Sequence, residues 1–299
     1  MKKLLFVSLL LSSAVFVQAQ GADFLIYSFK GNVSVVENNA EAKAKVGKLM
    51  NSSATIKVAN GSAVTLICNE AAMFTITKGG TYPLRNFGDS CKVSKSSVSS
   101  NYVKYVWAQM TKSSGSPGSN RKAYMNTVGA VSRSINNVWI DPRLDTVNYC
   151  DGDVPLSWKS YADAEEFEFF LFSSTDIVNP IYKTTVKKHK VPVSDLLGKI
   201  KPGNTYYWTA AVKGEENDDL KVLNYKKKED FKSILETIKA QGVPFEGDAE
   251  QAYRIAFMLE DAHFLAEAHD YYEKAATADE ANVLYRSTLM SFRKDYEIK

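Results

Sequence analysis

Histidine is scarce in this chain: His189, His263 and His269 are the only three among 299 residues. That scarcity closes most routes to chemistry that needs a poised base or a set of metal ligands. His263 and His269 stand six apart, not at the i,i+4 spacing that puts two ligands on one helix face, and read as surface or packing residues. His189 lies in Lys187-Lys188-His189-Lys190, where neighbouring cations disfavour its protonated form. There is no Gly-x-Ser-x-Gly elbow, no P-loop and no dinucleotide fingerprint. Asp151-Gly152-Asp153 and Asn217-Asp218-Asp219 carry calcium-type oxygens, yet neither continues as an EF-hand loop, and turn chemistry accounts for both. Glu165 and Glu166 are adjacent carboxylates with nothing to set them across a cleft. The expectation is a chain without catalytic residues, metal site or cofactor.

Long apolar runs are also missing. After Ala19 nothing approaches the ~20 apolar residues of a membrane helix, so no transmembrane span is expected. The start itself is different: Met1-Lys2-Lys3, an apolar stretch over 4–17, then Val17-Gln18-Ala19 with small residues at the cleavage positions. This reads as a secretory signal peptide over 1–19, and no cysteine follows it to carry a lipid. The expected location is periplasmic or secreted. An excess of one charge sign is absent too, with 35 basic against 34 acidic residues after Ala19. Charge is unevenly placed: residues 20–91 are net +2, residues 92–228 net +6, and residues 229–299 net −7. Such asymmetry indicates separately built parts. The basic middle has no stripe of lysines, which speaks against a nucleic-acid partner and for a solvated β face. Cysteine is limited to Cys68, Cys91 and Cys150. Cys68 and Cys91 can bridge in an oxidising compartment, which is worth on the order of 3 kcal/mol. Alternatively all three stay reduced and partly buried.

What is present begins with short β-type runs at 24–27, 33–36, 55–58, 63–68 and 73–76, separated by Asn, Gly, Ser and Lys. Within them stand Gly31-Asn32-Val33, Val46-Gly47-Lys48-Leu49, the segment from Ile56 through Asn60-Gly61-Ser62 to Ile67, and Lys78-Gly79-Gly80. These residues resemble the FecR-like domain family over about 24–89. The resemblance implies an all-β domain, taken here as 22–92. It departs from the family at Cys68-Asn69-Glu70-Ala71-Ala72, where a second Asp-Gly hairpin is usual.

Residues 93–125 read as a Ser/Gly-rich linker with one short helix, in which Tyr102, Val103, Val106, Trp107 and Met110 share a face. That helix packs on a neighbouring β domain or, in a sharper reading, meets a membrane surface or partner. A second β block spans 126–214, with strands expected at 130–132, 138–140, 146–149, 154–158, 166–172, 181–186, 191–193 and 205–212. In 166–172 Phe167, Phe169 and Leu171 alternate with Glu166 and Glu168, while Phe170 and Phe172 make the outer face apolar as well. Pro155-Leu156-Ser157-Trp158, Leu196 and the run Lys201-Pro202-Gly203-Asn204-Thr205-Tyr206-Tyr207-Trp208 resemble fibronectin type III modules. The implied fold is an Ig-like sandwich with Trp158 in its core. Residues 215–228 read as a charged linker.

From 229 to 299 the period becomes helical, with helices expected around 231–238, from Asp248, over 265–277 and over 281–296. The spacing of Ala256, Ala268, Tyr272 and Ala275 resembles a tetratricopeptide repeat over about 248–296, without its closing proline. One repeat cannot cover itself, so Phe257, Tyr271, Tyr272, Leu284 and Phe292 are the expected interaction face, docked within the chain or on another protein. The fold class expected is therefore multidomain: an N-terminal all-β FecR-like domain, an all-β Ig/fibronectin-like sandwich and a C-terminal α-helical TPR-like unit. The function expected is an exported, non-catalytic interaction or scaffold module with another envelope protein as partner. The alternative is a sensory or ligand-binding component of envelope signalling, and after it a polysaccharide-active hydrolase.

Overall fold

The computed structural model describes residues 23–91, 100–111, 121, 137–280 and 282–298. The signal-peptide reading, residues 113–119 of the Ser/Gly-rich linker and the strand expected at 130–132 lie outside the described residues. Among the described residues no helix is long and apolar enough to cross a membrane.

The N-terminal region carries β1 (Asp23–Lys30), β2 (Val33–Glu37), β3 (Ala40–Lys43), β4 (Leu49–Asn51), β5 (Thr55–Val58), β6 (Ala63–Cys68), β7 (Ala72–Ile76) and β8 (Gly80–Pro83). They form two antiparallel sheets, ordered β4-β1-β6-β7 and β3-β2-β5-β8. Asn38 and Asn39 both take positive φ in the two-residue loop joining β2 to β3, the conformation that closes a tight hairpin. Phe24 and Ile26 of β1 meet Val33, Val35, Ile56 and Leu66 in one core. Leu25 and Tyr27, on the other face of β1, belong to a second and larger core. Burial on both faces explains why β1 and β6 read as unbroken apolar runs instead of alternating ones. Cys68 and Cys91 form a disulfide that ties the end of β6 to the short helical turns of Leu84–Cys91.

Helix α1 (Ser100–Thr111) follows, then β9 (Val138–Trp139), β10 (Thr146–Tyr149), β11 (Pro155–Ser157), β12 (Lys159–Ser160), β13 (Phe167–Phe172), β14 (Tyr182–Val186), β15 (Lys190–Pro192), β16 (Asn204–Val212) and β17 (Lys221–Tyr225). A five-stranded sheet runs β10-β17-β16-β13-β14, with β11-β15 and β12-β9 as two short pairs. Trp158 is buried and stacks on Phe169, which stacks in turn on Trp208. Residues 215–228 are not simply a linker: β17 lies inside them and is hydrogen-bonded to β16 and, in parallel, to β10. Its Lys221 points into the fold and is neutralised by Asp145 and Asp219, so a buried cation hides the strand in a charged stretch.

The chain ends in α2 (Lys228–Ala240), α3 (Asp248–Asp261), α4 (Leu265–Ala278) and α5 (Val283–Tyr296). Their faces are covered within the chain. Asn148 of β10 donates its backbone N–H to the His263 carbonyl at 2.9 Å and its side-chain amide to Ala262 at 2.8 Å. On another side α1 fills the space between the first sheet and α3: Tyr102 meets Tyr27, and Tyr105 meets Tyr253 and Phe257. The apolar face of α1 is thus used inside the molecule. One continuous core runs from Leu25 through α1 and the five-stranded sheet to Tyr296. The segment expected as a linker at 93–125 supplies a central piece of that core.

Candidate functional site

The residues expected to form an interaction face are mostly interior. Phe257 is fully buried, its ring 4.9 Å from that of Tyr105 and 5.6 Å from that of Tyr102. Tyr272 and Phe292 are fully buried against each other, and the Tyr272 hydroxyl donates to Glu260 at 2.9 Å. Tyr271 and Leu284 are half-buried. The aromatic spacing was a correct sign of an apolar face, but α1 and the neighbouring helices cover it. Sequence reasoning also missed Arg121, which is fully buried and donates to both Glu260 and Asp295 beneath the Phe292 ring. No periodicity marks a single arginine inside a polar stretch, so no sequence signal could have found it.

Among the described residues the three histidines, the free thiol and the two most shifted carboxyls are spread over several elements. His189 is exposed with Phe167 against its ring, and His263 holds a left-handed turn between α3 and α4. His269 accepts a hydrogen bond from Arg293 at 2.9 Å; burial and that guanidinium lower its pKa. Cys150 is a buried free thiol pushed up to about 11 by burial and by Glu267. Two carboxyls at the joints of the fold are pushed up to about 7, chiefly by burial: Glu250 beside Tyr27, and Glu267 beneath the Cys150–Asp151 turn. Among the described residues no three His, Cys, Asp or Glu side chains converge as a metal site.

The outer face of the five-stranded sheet carries apolar side chains where a solvated face would carry polar ones. In β13 the even positions lie on the outer face of the sheet, where Phe170 is half-buried and parallel to Phe172 with ring centroids 6.4 Å apart, although Phe172 itself is only 2% exposed. Lys183 of β14 lies 4.8 Å over the Phe170 ring and pairs with Glu168 at 2.8 Å, which lowers the Glu168 pKa. The loop after β13 adds Ile177 and Val178, the latter 76% exposed. Together they line a groove of about 520 Å³ whose far wall carries Glu215, Glu216 and Asp218. No family model matches this chain, and no curated protein matches it. The groove is read from its own chemistry: an apolar floor, an acidic wall and one lysine already engaged. Beside it β14 is the terminal strand of its sheet, paired only with β13 among the described residues. Such an edge offers unpaired backbone groups to an extended chain.

Proposed function

We propose that this is an exported, non-catalytic envelope protein that works as an interaction scaffold and docks a partner protein on the outer face of its five-stranded sheet. The observation that carries the reading is the groove at Phe170, Phe172, Ile177 and Val178, with exposed aliphatic side chains beside an edge strand. Its acidic wall fits a partner segment with an apolar anchor flanked by lysine or arginine. Export is supported by the charged and apolar N-terminal pattern and by the Cys68–Cys91 disulfide, which suits an oxidising compartment. The finer folds belong to the same proposal. The parallel β10–β17 pair at one edge of the five-stranded sheet, with Trp158 inside, supports an Ig-like sandwich. The Gly61 turn at positive φ supports the FecR-like reading, and the tightly packed α3–α4 hairpin supports the TPR-like one.

The test is a comparison of wild type with Val178→Asp as baits in an envelope extract, after chemical cross-linking. A specific partner recovered by wild type, released by salt and lost by the variant with an unchanged melting curve is the expected result. A partner retained by Val178→Asp at the wild-type yield refutes this surface. A second reading, a ligand-binding component, draws on a different feature, the cleft between β1, α1 and α3.

A further inference from the structure

A cleft of about 230 Å³ lies where β1, α1, α3 and the start of α5 meet. Its walls include Tyr27, Tyr102, Tyr253 and Tyr285, and its single charged residue is Glu250. Three of the four tyrosine hydroxyls are already engaged. Tyr27 and Tyr102 share a hydrogen bond at 2.8 Å, and Tyr253 bonds Tyr105 and, at 3.0 Å, Thr288. The tyrosines therefore contribute mainly ring surface, which carries negative charge on its faces.

No cation pairs directly with Glu250 among the described residues: the Tyr27 hydroxyl favours its charged form, the carboxylate accepts the Gly247 N–H at a long 3.3 Å, and the like charge of Glu246 opposes its ionisation. Arg254, whose charge acts on Glu250, is held by both oxygens of Glu246 at 2.8 and 2.9 Å and donates its remaining arm to the Ile238 carbonyl. The groups facing Glu250 are otherwise neutral: Tyr27 and Ser28 from β1, Tyr102 from α1, Tyr285 and Asn282 from the α5 end. Val46 and Leu284 at the rim are reached by solvent, so the cleft is open to a ligand.

We propose that this cleft binds a small organic ammonium ion, held by the Glu250 carboxylate and the tyrosine rings. Aromatic faces around a cation, with one carboxylate to match its charge, are the chemistry that selects an ammonium over a neutral molecule of equal shape. At about 230 Å³ the cleft is smaller than the ~300–1,000 Å³ of drug-sized sites, which limits the ion to a few carbons. Burial holds Glu250 at about 7, so an arriving cation displaces its proton and affinity increases from pH 5 to pH 8. The ligand bridges elements from three parts of the chain and stabilises their junction. The inference is independent of the outer-face groove.

Calorimetric titration of the full-length mature chain with tetramethylammonium and with n-butylammonium, against tert-butyl alcohol, tests it. The expected result at pH 8 is saturable binding of a cation at least roughly tenfold tighter than the neutral alcohol, weakening at pH 5 with proton release. Preference for n-butylammonium marks a primary amine of lysine type as the source; preference for tetramethylammonium marks a quaternary one. Glu250→Gln keeps an acceptor for Gly247 and is expected to lose roughly tenfold or more. Tyr285→Leu, at the half-buried rim, is expected to lose roughly threefold or more. Absence of saturable cation binding, equal affinity for the alcohol, or full affinity in both variants overturns the proposal.

Discussion

Glu267 enters the interior with its two oxygens treated unequally. Oε1 accepts the backbone N–H groups of Cys150 at 2.7 Å and Asp151 at 3.0 Å, while Oε2 has no partner among the described residues. Desolvation outweighs these two donors and the residue's own backbone N–H, and leaves the carboxyl at about 7, against 4.5 in the open chain. The folded state therefore binds more protons than the unfolded state between these values. Stability contributed by this group is full below pH 4.5 and falls as pH rises through 7. The loss is on the order of 3 kcal/mol at most. Glutamine keeps the acceptor oxygen and removes the titration. Urea unfolding of Glu267→Gln at pH 5 and pH 8 is expected to show a stability gap narrower than that of wild type by about 1–3 kcal/mol. An identical gap in the two proteins would show that this carboxyl is not protonated at pH 5.

At the scale of elements, helices were the most legible because their apolar residues recur every three or four positions. Asp248–Asp261 and Leu265–Ala278 sit where Asp248, Ala256, Ala268 and Tyr272 placed them. Strand β10 was equally plain at Thr146–Tyr149. Strand β17 was not, because its inward Lys221 breaks the alternation and draws its stability from two aspartates instead of apolar contact. The outer-face groove was half legible: Phe170 and Phe172 already made one side of β13 too apolar for solvent, whereas Ile177 and Val178 are placed by the loop. The tyrosine cleft was not legible at all, since its four rings come from separate elements. The role of α1 was understated for a related reason. Tyr102, Val103, Val106 and Trp107 define one stripe, but Tyr105 and Ala108 are buried too, because the helix is covered on two sides. Phe257 is the α3 residue set against it, so Phe257→Ala opens a cavity between three parts of the chain. The expected cost is about 3–5 kcal/mol by chemical denaturation, and a cost below about 1 kcal/mol would mean that α1 and α3 are not packed together in solution.

For the whole molecule, composition and charge divide the chain in three, and packing reunites it. The acidic last 71 residues, net −7, settle against the part of the chain that is net +6. The helices also close around Arg121, which brings one basic side chain from the middle segment to Glu260 and Asp295 in the helical part. A buried ion pair of this kind adds little net stability, yet removing one partner is costly, so the network fixes which surfaces meet. Strand β1 makes the union tighter by serving two cores, with Phe24 and Ile26 in one and Leu25 and Tyr27 in the other. Losing the helices would uncover Leu25, Tyr27, Ile67 and Met73 on the first sheet and most of α1 at once. Loss of one part therefore destabilises its neighbours, and the chain is expected to unfold in one cooperative transition. The check is to follow urea denaturation by tryptophan fluorescence, which reports on Trp107, Trp139, Trp158 and Trp208, and by far-ultraviolet circular dichroism, which is dominated by the helices. Coincident curves with one midpoint are expected. A helical signal that disappears at lower urea than the tryptophan signal would show instead that the tail comes away while the β regions remain folded.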